Sequence, residues 1–297
     1  MNSRQLDDLL ALLDANSLTE AATHRHVTQP AFSRRVRSIE QNLGFEIIDR
    51  SKRPGALKPF VIERHGDIRT LVLALRRLTE DLRSASSTDR FLLIAAMHSI
   101  SVSELPRVIK NIEEMIPFTT VRLRSGNLDE CYAMLMTGQI AIMISYETER
   151  QKTRIDDSLV ERIVLKKDRL VPAISQERTE EIRSLLRQNH DVPLVTAPQD
   201  SFFGKVLSDM PFGHGARFSE RAISSLSPAI LEMVLCGLGV GWVTESHAAH
   251  YFETGQLSSL SNVLPGAEMH MVMMRVRSSR SPFLEAGWEV LKTSLVF

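Results

Sequence analysis

Two short helix signals separated by a tight turn, between residues 17 and 43, restrict the fold more than any other feature of the sequence. Ser17-Leu18-Thr19-Glu20 is a capping box, in which the serine hydroxyl and the glutamate carboxylate satisfy free amides at a helix start. It predicts a helix over Thr19–Arg25, with Ala21 and Ala22 small enough for a neighbouring helix to pack closely. Thr28 is placed to cap a second helix, with Gln29 and Pro30 in its first turn, where proline costs little, and Ala31–Gln41 continuing it. Phe32, Val36, Ile39 and Leu43 form its inward stripe. Upstream, Leu6, Leu9, Leu10 and Leu13 recur at helical spacing and predict a helix over residues 4–14, broken at Asn16 and Ser17. The arrangement is a helix-turn-helix.

The second helix carries chemistry suited to a nucleic acid. Thr28, Gln29, Ser33 and Arg34 stand at its start, with Arg35 and Arg37 behind them. Glutamine pairs bidentately with adenine and arginine with guanine in the major groove, while hydroxyls and further arginines hold phosphates. Motifs of this kind present base contacts from the N-terminal turns of the second helix. Charge points the same way. Residues 25–64 hold nine bases and four acids, a net of +5, which leaves −5 for the remainder of a chain that is neutral overall. A basic head on an acidic body fits a protein that docks one end on DNA.

Ser17-Leu18-Thr19-Glu20-Ala21-Ala22, Val27-Thr28-Gln29-Pro30-Ala31-Phe32-Ser33, Ile39-Glu40, Leu43-Gly44 and Asp49-Arg50 resemble, in order and spacing, the signature of LysR-type transcriptional regulators. The resemblance implies a homodimer or homotetramer that binds double-stranded promoter DNA and answers a small-molecule effector. It implies DNA contacts from Ser17, Thr28, Gln29, Pro30, Ser33, Arg34, Arg35 and Arg37, with Arg50, Lys52 and Arg53 on a following wing. The wing departs from the family. Ile62-Glu63-Arg64-His65-Gly66 is assigned the place that closes it, so it is expected to be longer, with basic Lys52, Arg53 and Lys58 and a turn at Pro54-Gly55.

Ile68, Leu71, Leu75, Leu78 and Leu82 then repeat at spacings of 3, 4, 3 and 4, the seam of a helix lying along another helix. Such a stripe has to be covered, either by its own domain or, as the resemblance implies, by a second copy. Ser84-Ala85-Ser86-Ser87-Thr88 reads as a hinge.

Beyond residue 90 the pattern becomes α/β with a parallel sheet. Strands are predicted at Phe91–Ala96, Thr119–Leu123 and Ile140–Ser145, with helices at Ser103–Met115 and Asn127–Met136. A second lobe repeats the layout with strands at Leu170–Ile174, Leu194–Ala197 and Val240–Thr244, and a helix from Ser227-Pro228 to Gly237. A strand at Glu268–Val276 and a helix at Pro282–Leu291 are expected to return to the first lobe. Leu105-Pro106, Gly126, Gly138 and Gly237–Gly241 fall where LysR effector domains, similar to periplasmic solute-binding proteins, carry comparable residues; Ala141 and Thr244-Glu245 depart from that pattern.

The fold expected is therefore a winged helix-turn-helix domain (1–66), a linker helix and hinge (67–89), and a two-lobed periplasmic-binding-protein-like effector domain (90–297). Lobe I takes 90–163 and 265–297, and lobe II takes 164–264. Ligands in open α/β sheets sit at the carboxyl ends of strands, where helix N-termini favour an anion. Candidates there are His98, Ser99 and Ser101 after the first strand, Asn127 after the second, Ser201 and Phe203 in lobe II, and Ser225 near the crossover. Each polar one has a plain alternative as a helix cap, and His98 as a buried core residue.

No metal-ligand spacing, nucleophile elbow or phosphate loop is present, so no enzyme, cofactor or metal is expected. Gly237–Gly241 follows a helix and is a poor dinucleotide fingerprint. The N-terminus lacks the apolar stretch of a secretory signal, and no apolar run reaches membrane-spanning length. A cytoplasmic setting without a membrane partner is the expectation, which argues against the rival reading of a detached solute-binding protein. Cys131 and Cys236 are read as buried helix residues, and the alternation of Met269, Met271, Met273 and Met274 as strand core. An oxidant-sensing regulator using these sulfurs is the alternative, because Ala95–Ser101 and Thr254–Leu257 loosely resemble hypochlorite-responsive members of the family.

Overall fold

The computed structural model describes residues 1–15, 17–49, 56–69, 71–72, 75, 78–79, 90–152, 159–212, 217–277 and 281–295. The chain divides into two compact units, Met1–Ser86 with Met136–Gly138 and Ser87–Leu135 with Gln139–Phe297.

In the first unit α1 (Ser3–Asp14) starts from a capping box that the sequence reading did not include, with Gln5 N–H donating to the Asn2 side chain at 3.0 Å. The Ser17 hydroxyl caps α2 (Leu18–His24) by accepting from Glu20 N–H at 3.1 Å. His26 makes the turn with φ +52°, and α3 (Gln29–Leu43) follows. α3 stops at Gly44, whose φ of +79° is the left-handed conformation that glycine adopts without Cβ strain. Leu9, Leu12, Ala21, Ala22, Phe32, Val36 and Ile39 close one core between the three helices.

A two-stranded ribbon comes next, with β1 (Ile48–Asp49) antiparallel to β2 (Ala56–Leu57) and Ile48 opposite Leu57. This corrects the expected wing. The ribbon closes at Leu57, and Lys58 N–H donates back to Ile47 O at 2.9 Å. Pro59 then starts the short helix α4 (Pro59–Ile62), so Ile62–Gly66 lies beyond the wing. Proline fits a first helical turn and cannot donate to a ladder, so the strand has to end before it. Pro54-Gly55 lies outside the described residues. The linker is helical at 65–69 and at the described positions up to Thr79; the expected hinge at 84–88 lies outside the described residues.

In the second unit β3 (Arg90–Met97) leads into α5 (His98–Ser103) and α6 (Leu105–Met115), and β4 (Thr119–Gly126) into α7 (Leu128–Met136). β5 (Ile142–Glu147) and the long β6 (Val160–Ser175) follow. The chain continues through α8 (Thr179–Arg187), β7 (Asp191–Thr196), α9 (Phe202–Ser208), β8 (Arg217–Ile223), α10 (Ser227–Leu235) and β9 (Val240–Thr244). It ends with α11 (Glu245–Glu253), β10 (Leu257–Ser259), β11 (Ala267–Val276) and α12 (Pro282–Leu295). The strands form one sheet in the order β4-β3-β5-β11-β6-β9-β7-β8, with β10 also on β6.

Pairing is parallel within β3, β4 and β5, as expected, and within β7, β8 and β9. β8 was not among the expected strands, and the strand expected at Leu170–Ile174 is the end of β6, antiparallel to β9 and β10. The crossing strands β6 and β11 are antiparallel to each other and link the lobes. The first part of β6 pairs β11 along Val160–Leu170, and its last part pairs β9 and β10. β11 pairs β5 and α12 packs on α6, so the C-terminal segment returns to the first lobe. Met269, Met271, Met273 and Met274 are fully buried in β11, as their alternation predicted. Cys131 is buried on α7, but Cys236 is exposed, which corrects its reading as a core residue. It stands at the end of α10, before Gly237 turns the chain with φ +73°, where the helix no longer has a face against the core.

Candidate nucleic-acid interface and ligand cleft

The start of α3 presents Thr28, Gln29 and Pro30 to solvent, and the Thr28 side chain makes no cap hydrogen bond. Arg34 and Arg37 are exposed further along, with Arg34 Nε 3.4 Å from Pro30 O, and Ser33 is half-buried. This face therefore offers an amide, two hydroxyls and two guanidinium groups for outside partners. Ser17 and Arg35 are engaged within the unit: Ser17 caps α2, and Arg35 Nη1 lies 3.5 Å from the buried Asp8 carboxylate. Arg50, Lys52 and Arg53 lie outside the described residues.

Glu40 is a site residue whose role the sequence did not disclose. Its buried carboxylate accepts from Ile47 N–H at 3.0 Å and Ile48 N–H at 3.3 Å, which anchors the start of the wing ribbon to α3. The signal was present in hindsight, since Glu40 follows Ile39 on the edge of the apolar stripe.

The linker seam is split. Ile68 packs with the buried Val72 on Leu6 and Leu10 of α1. Asp14 at the end of α1 accepts from Arg69 and, at 2.7 Å, from His65. Leu71, Leu75 and Leu78 remain 53%, 37% and 56% exposed, and Leu82 lies outside the described residues.

A cleft of about 760 Å³ opens in the second unit between the start of α7 and the start of α9. Asn127, Ser201 and Ser225 line it, together with Tyr132, Lys152 and Lys205. Two of these side chains already cap helices. Asn127 Oδ1 accepts from Glu130 N–H at 2.9 Å, and the Ser201 hydroxyl accepts from Gly204 N–H at 3.1 Å while donating to Pro198 O at 2.6 Å. Gly204 is required by that turn, because a Cβ there would stand 1.9 Å from Pro198 O.

His98, Ser99 and Ser101 do not line this cleft. They belong to α5, a helix that was not among those expected, and α5 packs against α10 and α11. His98 is half-buried, and the Ser101 hydroxyl donates to Ala96 O at 3.3 Å. The Ser99 hydroxyl is buried without a hydrogen-bond partner. Phe203 packs its ring 6.3 Å from that of Tyr146, behind the cleft.

Tyr146 belongs to a buried polar cluster that sequence reasoning missed. Its hydroxyl donates to Asp168 Oδ2 at 2.7 Å; Ser246 Oγ donates to the same oxygen at 2.6 Å, and Ser246 N–H to Oδ1 at 3.2 Å. The cluster joins the end of β5 to the start of α11 through the middle of β6. Burial first, and the Asp168 charge second, push the Tyr146 pKa well above its ordinary value, so the phenol stays a donor.

Burial, reinforced by Glu130 and partly offset by a backbone hydrogen bond from Gly126, pushes the Cys131 thiol up to about 12. The thiolate is the reactive species. Alkylation at pH 8 is therefore expected to add one label in the folded protein, at Cys236, and two after unfolding, as counted by mass spectrometry. A native Cys131 adduct formed as fast as the Cys236 one would contradict this. Among the described residues no cluster of three or more His, Cys, Asp or Glu could hold a metal, and no helix is long and apolar enough to cross a membrane.

The model of a bacterial regulatory helix-turn-helix protein of the lysR family matches residues 3–59, and that of the LysR substrate binding domain matches residues 86–295. The chain is 28% identical over 294 residues to the HTH-type transcriptional regulator YjiE of Escherichia coli (strain K12), covering 98% of this chain and 94% of the relative. The full-length structure of HypT from Salmonella typhimurium, a hypochlorite-specific LysR-type transcriptional regulator, is 27% identical to this chain with a TM-score of 0.59, over 99% of this chain and 98% of its own. DarR of Vibrio fischeri, solved in complex with DNA, shares the fold at 21% identity and a TM-score of 0.57, over 99% of each chain.

Proposed function

The chain belongs to the LysR family of transcriptional regulators, and from that membership we propose that the first turns of α3 read promoter DNA while the cleft of the second unit takes a small effector. It is a DNA-binding regulator with an effector-binding domain, and not an enzyme. The observation that carries the DNA reading is the exposed start of α3, where Thr28 and Gln29 are free of capping bonds and Arg34 and Arg37 face outward. Gln29 and Arg34 are the base readers of this proposal. Thr28, Ser33 and Arg37 position the helix, joined by Ser17 at the start of α2 and by Arg50, Lys52 and Arg53 of the wing.

Replacing Gln29 or Arg34 with alanine is expected to weaken binding to the selected operator by about 1–3 kcal/mol, as for a bidentate base contact, and to leave random DNA unaffected. Equal loss on both duplexes would make the residue a phosphate contact instead.

The exposed Leu71, Leu75 and Leu78, continued by Leu82, support pairing of linker helices between two copies, and tetramers by further association of dimers. The domain limits of this reading are 1–66, 67–89 and 90–297, acting in the cytoplasm. The cleft lining holds Lys152 and Lys205 but also Asp129 and Asp200, so the preference for an anionic group rests on the helix starts of α7 and α9 that face it. Asn127, Ser201 and Ser225 line the same space. The unpartnered Ser99 hydroxyl, with His98, Ser101 and Phe203, supports a second group of contacts on the α5 side. The effector acts only by binding one lobe arrangement more tightly than another.

A second reading, response to an oxidant, rests on the likeness to the hypochlorite-specific HypT. Burial of Cys131 and of the four β11 methionines directs it to surface sulfur such as Cys236 or Met115. Loss of an oxidant effect on DNA binding in the Cys236→Ser and Met115→Leu variants would support it over the effector reading.

A further inference from the structure

Arg35 lies on the helix assigned to DNA, yet its side chain serves the interior of the unit. At about 100° per residue, Arg34 and Arg37 fall on the face of α3 opposite the Phe32 stripe, while Arg35 falls roughly 60° from that stripe. There its Nη1 lies 3.5 Å from Asp8 Oδ1 on α1. The same oxygen accepts from Arg25 Nε, at the end of α2, at 2.7 Å. Asp8 is only 1% exposed, so the carboxylate depends on these two partners for compensation of its charge. One buried group thus draws the end of α2 and the flank of α3 onto α1. The apolar core below it (Leu9, Phe32, Val36) fixes the spacing of the helices and which face of α3 turns inward, but apolar contacts are non-directional and leave small rotations of α3 about its axis open. The ion pair from Arg35 to a buried, fixed carboxylate narrows that remaining freedom from one flank of the helix.

We infer that Asp8 and Arg35 are positioning residues for DNA reading: the pair sets the rotation of α3, and Arg35 makes no contact with DNA itself. This rests on α3 being the reading helix, and it removes from the reading face a base that the sequence placed there.

The test uses the full chain. Wild-type protein first selects a duplex from a random-sequence pool; failure to select any sequence would sink the reading of α3 and is distinguishable from failure of this inference. Arg35→Ala, Arg35→Lys and Asp8→Asn are then titrated against the selected duplex and a random duplex across a salt series. Asp8→Asn keeps the side-chain shape and an acceptor, so the comparison survives if Arg35→Ala folds poorly. Arg35→Ala and Asp8→Asn should lose about tenfold on the selected duplex, roughly one weakened base contact, with affinity and salt slope on random DNA unchanged. Arg35→Lys, which can still reach Asp8, should recover most of the loss. Two results overturn the inference. One is a salt slope shallower by about 0.9 on both duplexes for Arg35→Ala, the mark of a lost phosphate contact. The other is unchanged affinity for both duplexes with only a lowered Tm, the mark of a purely structural pair.

Discussion

Alanine at Asp168 should destabilise the second unit by about 3–5 kcal/mol, because it leaves two or more buried donors without an acceptor at about 1–3 kcal/mol each. The carboxylate is 7% exposed and accepts from Tyr146 Oη, Ser246 Oγ, Ser246 N–H and Arg169 N–H, the last at 2.8 Å. Hydrogen bonds to a charged acceptor contribute about 1.5–3 kcal/mol each, and four on one group do not add independently. The larger part of the loss comes from the donors left behind, because the Tyr146 hydroxyl has no route to water. Asparagine should be intermediate, since it keeps one acceptor but turns an amide donor toward two hydroxyls. Tyr146→Phe should cost only about 1 kcal/mol, because it removes one donor and leaves the carboxylate three others. Urea unfolding of the four proteins checks the order, read as midpoints at constant slope. A loss for Asp168→Ala no greater than for Tyr146→Phe would show that the cluster does not act as a unit. The position matters for function as well, because β6 is one of two strands running through both lobes.

Alanine at Glu40 should cost the first unit about 2–4 kcal/mol, since two backbone N–H groups would lose a charged acceptor. Both belong to buried residues, Ile47 at 0% and Ile48 at 4% exposure, so water cannot replace the carboxylate. Glutamine, which keeps an acceptor oxygen, should cost less than half as much. Alanine at the exposed Glu46, six residues on, should change stability by less than about 0.5 kcal/mol. The ribbon that Glu40 anchors carries the basic wing, so Glu40→Ala should also weaken binding to selected and random DNA alike. Thermal unfolding together with DNA titration at a temperature where the variant remains folded separates the two effects. Full stability with normal DNA binding in Glu40→Ala would contradict the anchoring role.

The helix-turn-helix was legible because its signals are local. Ser17 and Thr28-Gln29-Pro30 each mark a helix start by chemistry confined to one turn, and the structure places the starts of α2 and α3 beside them; the end of α3 runs past the expected Gln41 to Leu43, before Gly44. The long-range partners were not legible. Asp8 and Glu40 are acids on amphipathic helices whose internal roles the sequence analysis did not anticipate, and only the packing of α1 and β1 against α3 makes them internal. Lys166-Lys167-Asp168-Arg169 lies just before the strand expected at Leu170–Ile174, yet it forms the middle of β6, with Asp168 turned inward and Lys166 Nζ 2.6 Å from Glu104. The wing failed for a related reason: the closing residues were placed by the spacing of a resembled pattern, whereas Pro59 ends the ribbon locally. At the cleft, Asn127, Ser201 and Ser225, proposed as polar side chains after strands, line one space. Sequence could not tell that α5 would be drawn against α10 and α11, which separates His98, Ser99 and Ser101 from them.

The most direct test of the account is selection of duplexes from a random pool by the full-length chain, followed by a salt titration of the selected sequence. The account predicts enrichment of one sequence with two related half-sites about one helical turn or a multiple apart, as a paired helix-turn-helix requires, and affinity that falls steeply with salt. A folded chain that enriches no sequence over the input pool, and binds it no better than random DNA at any salt concentration, would contradict it.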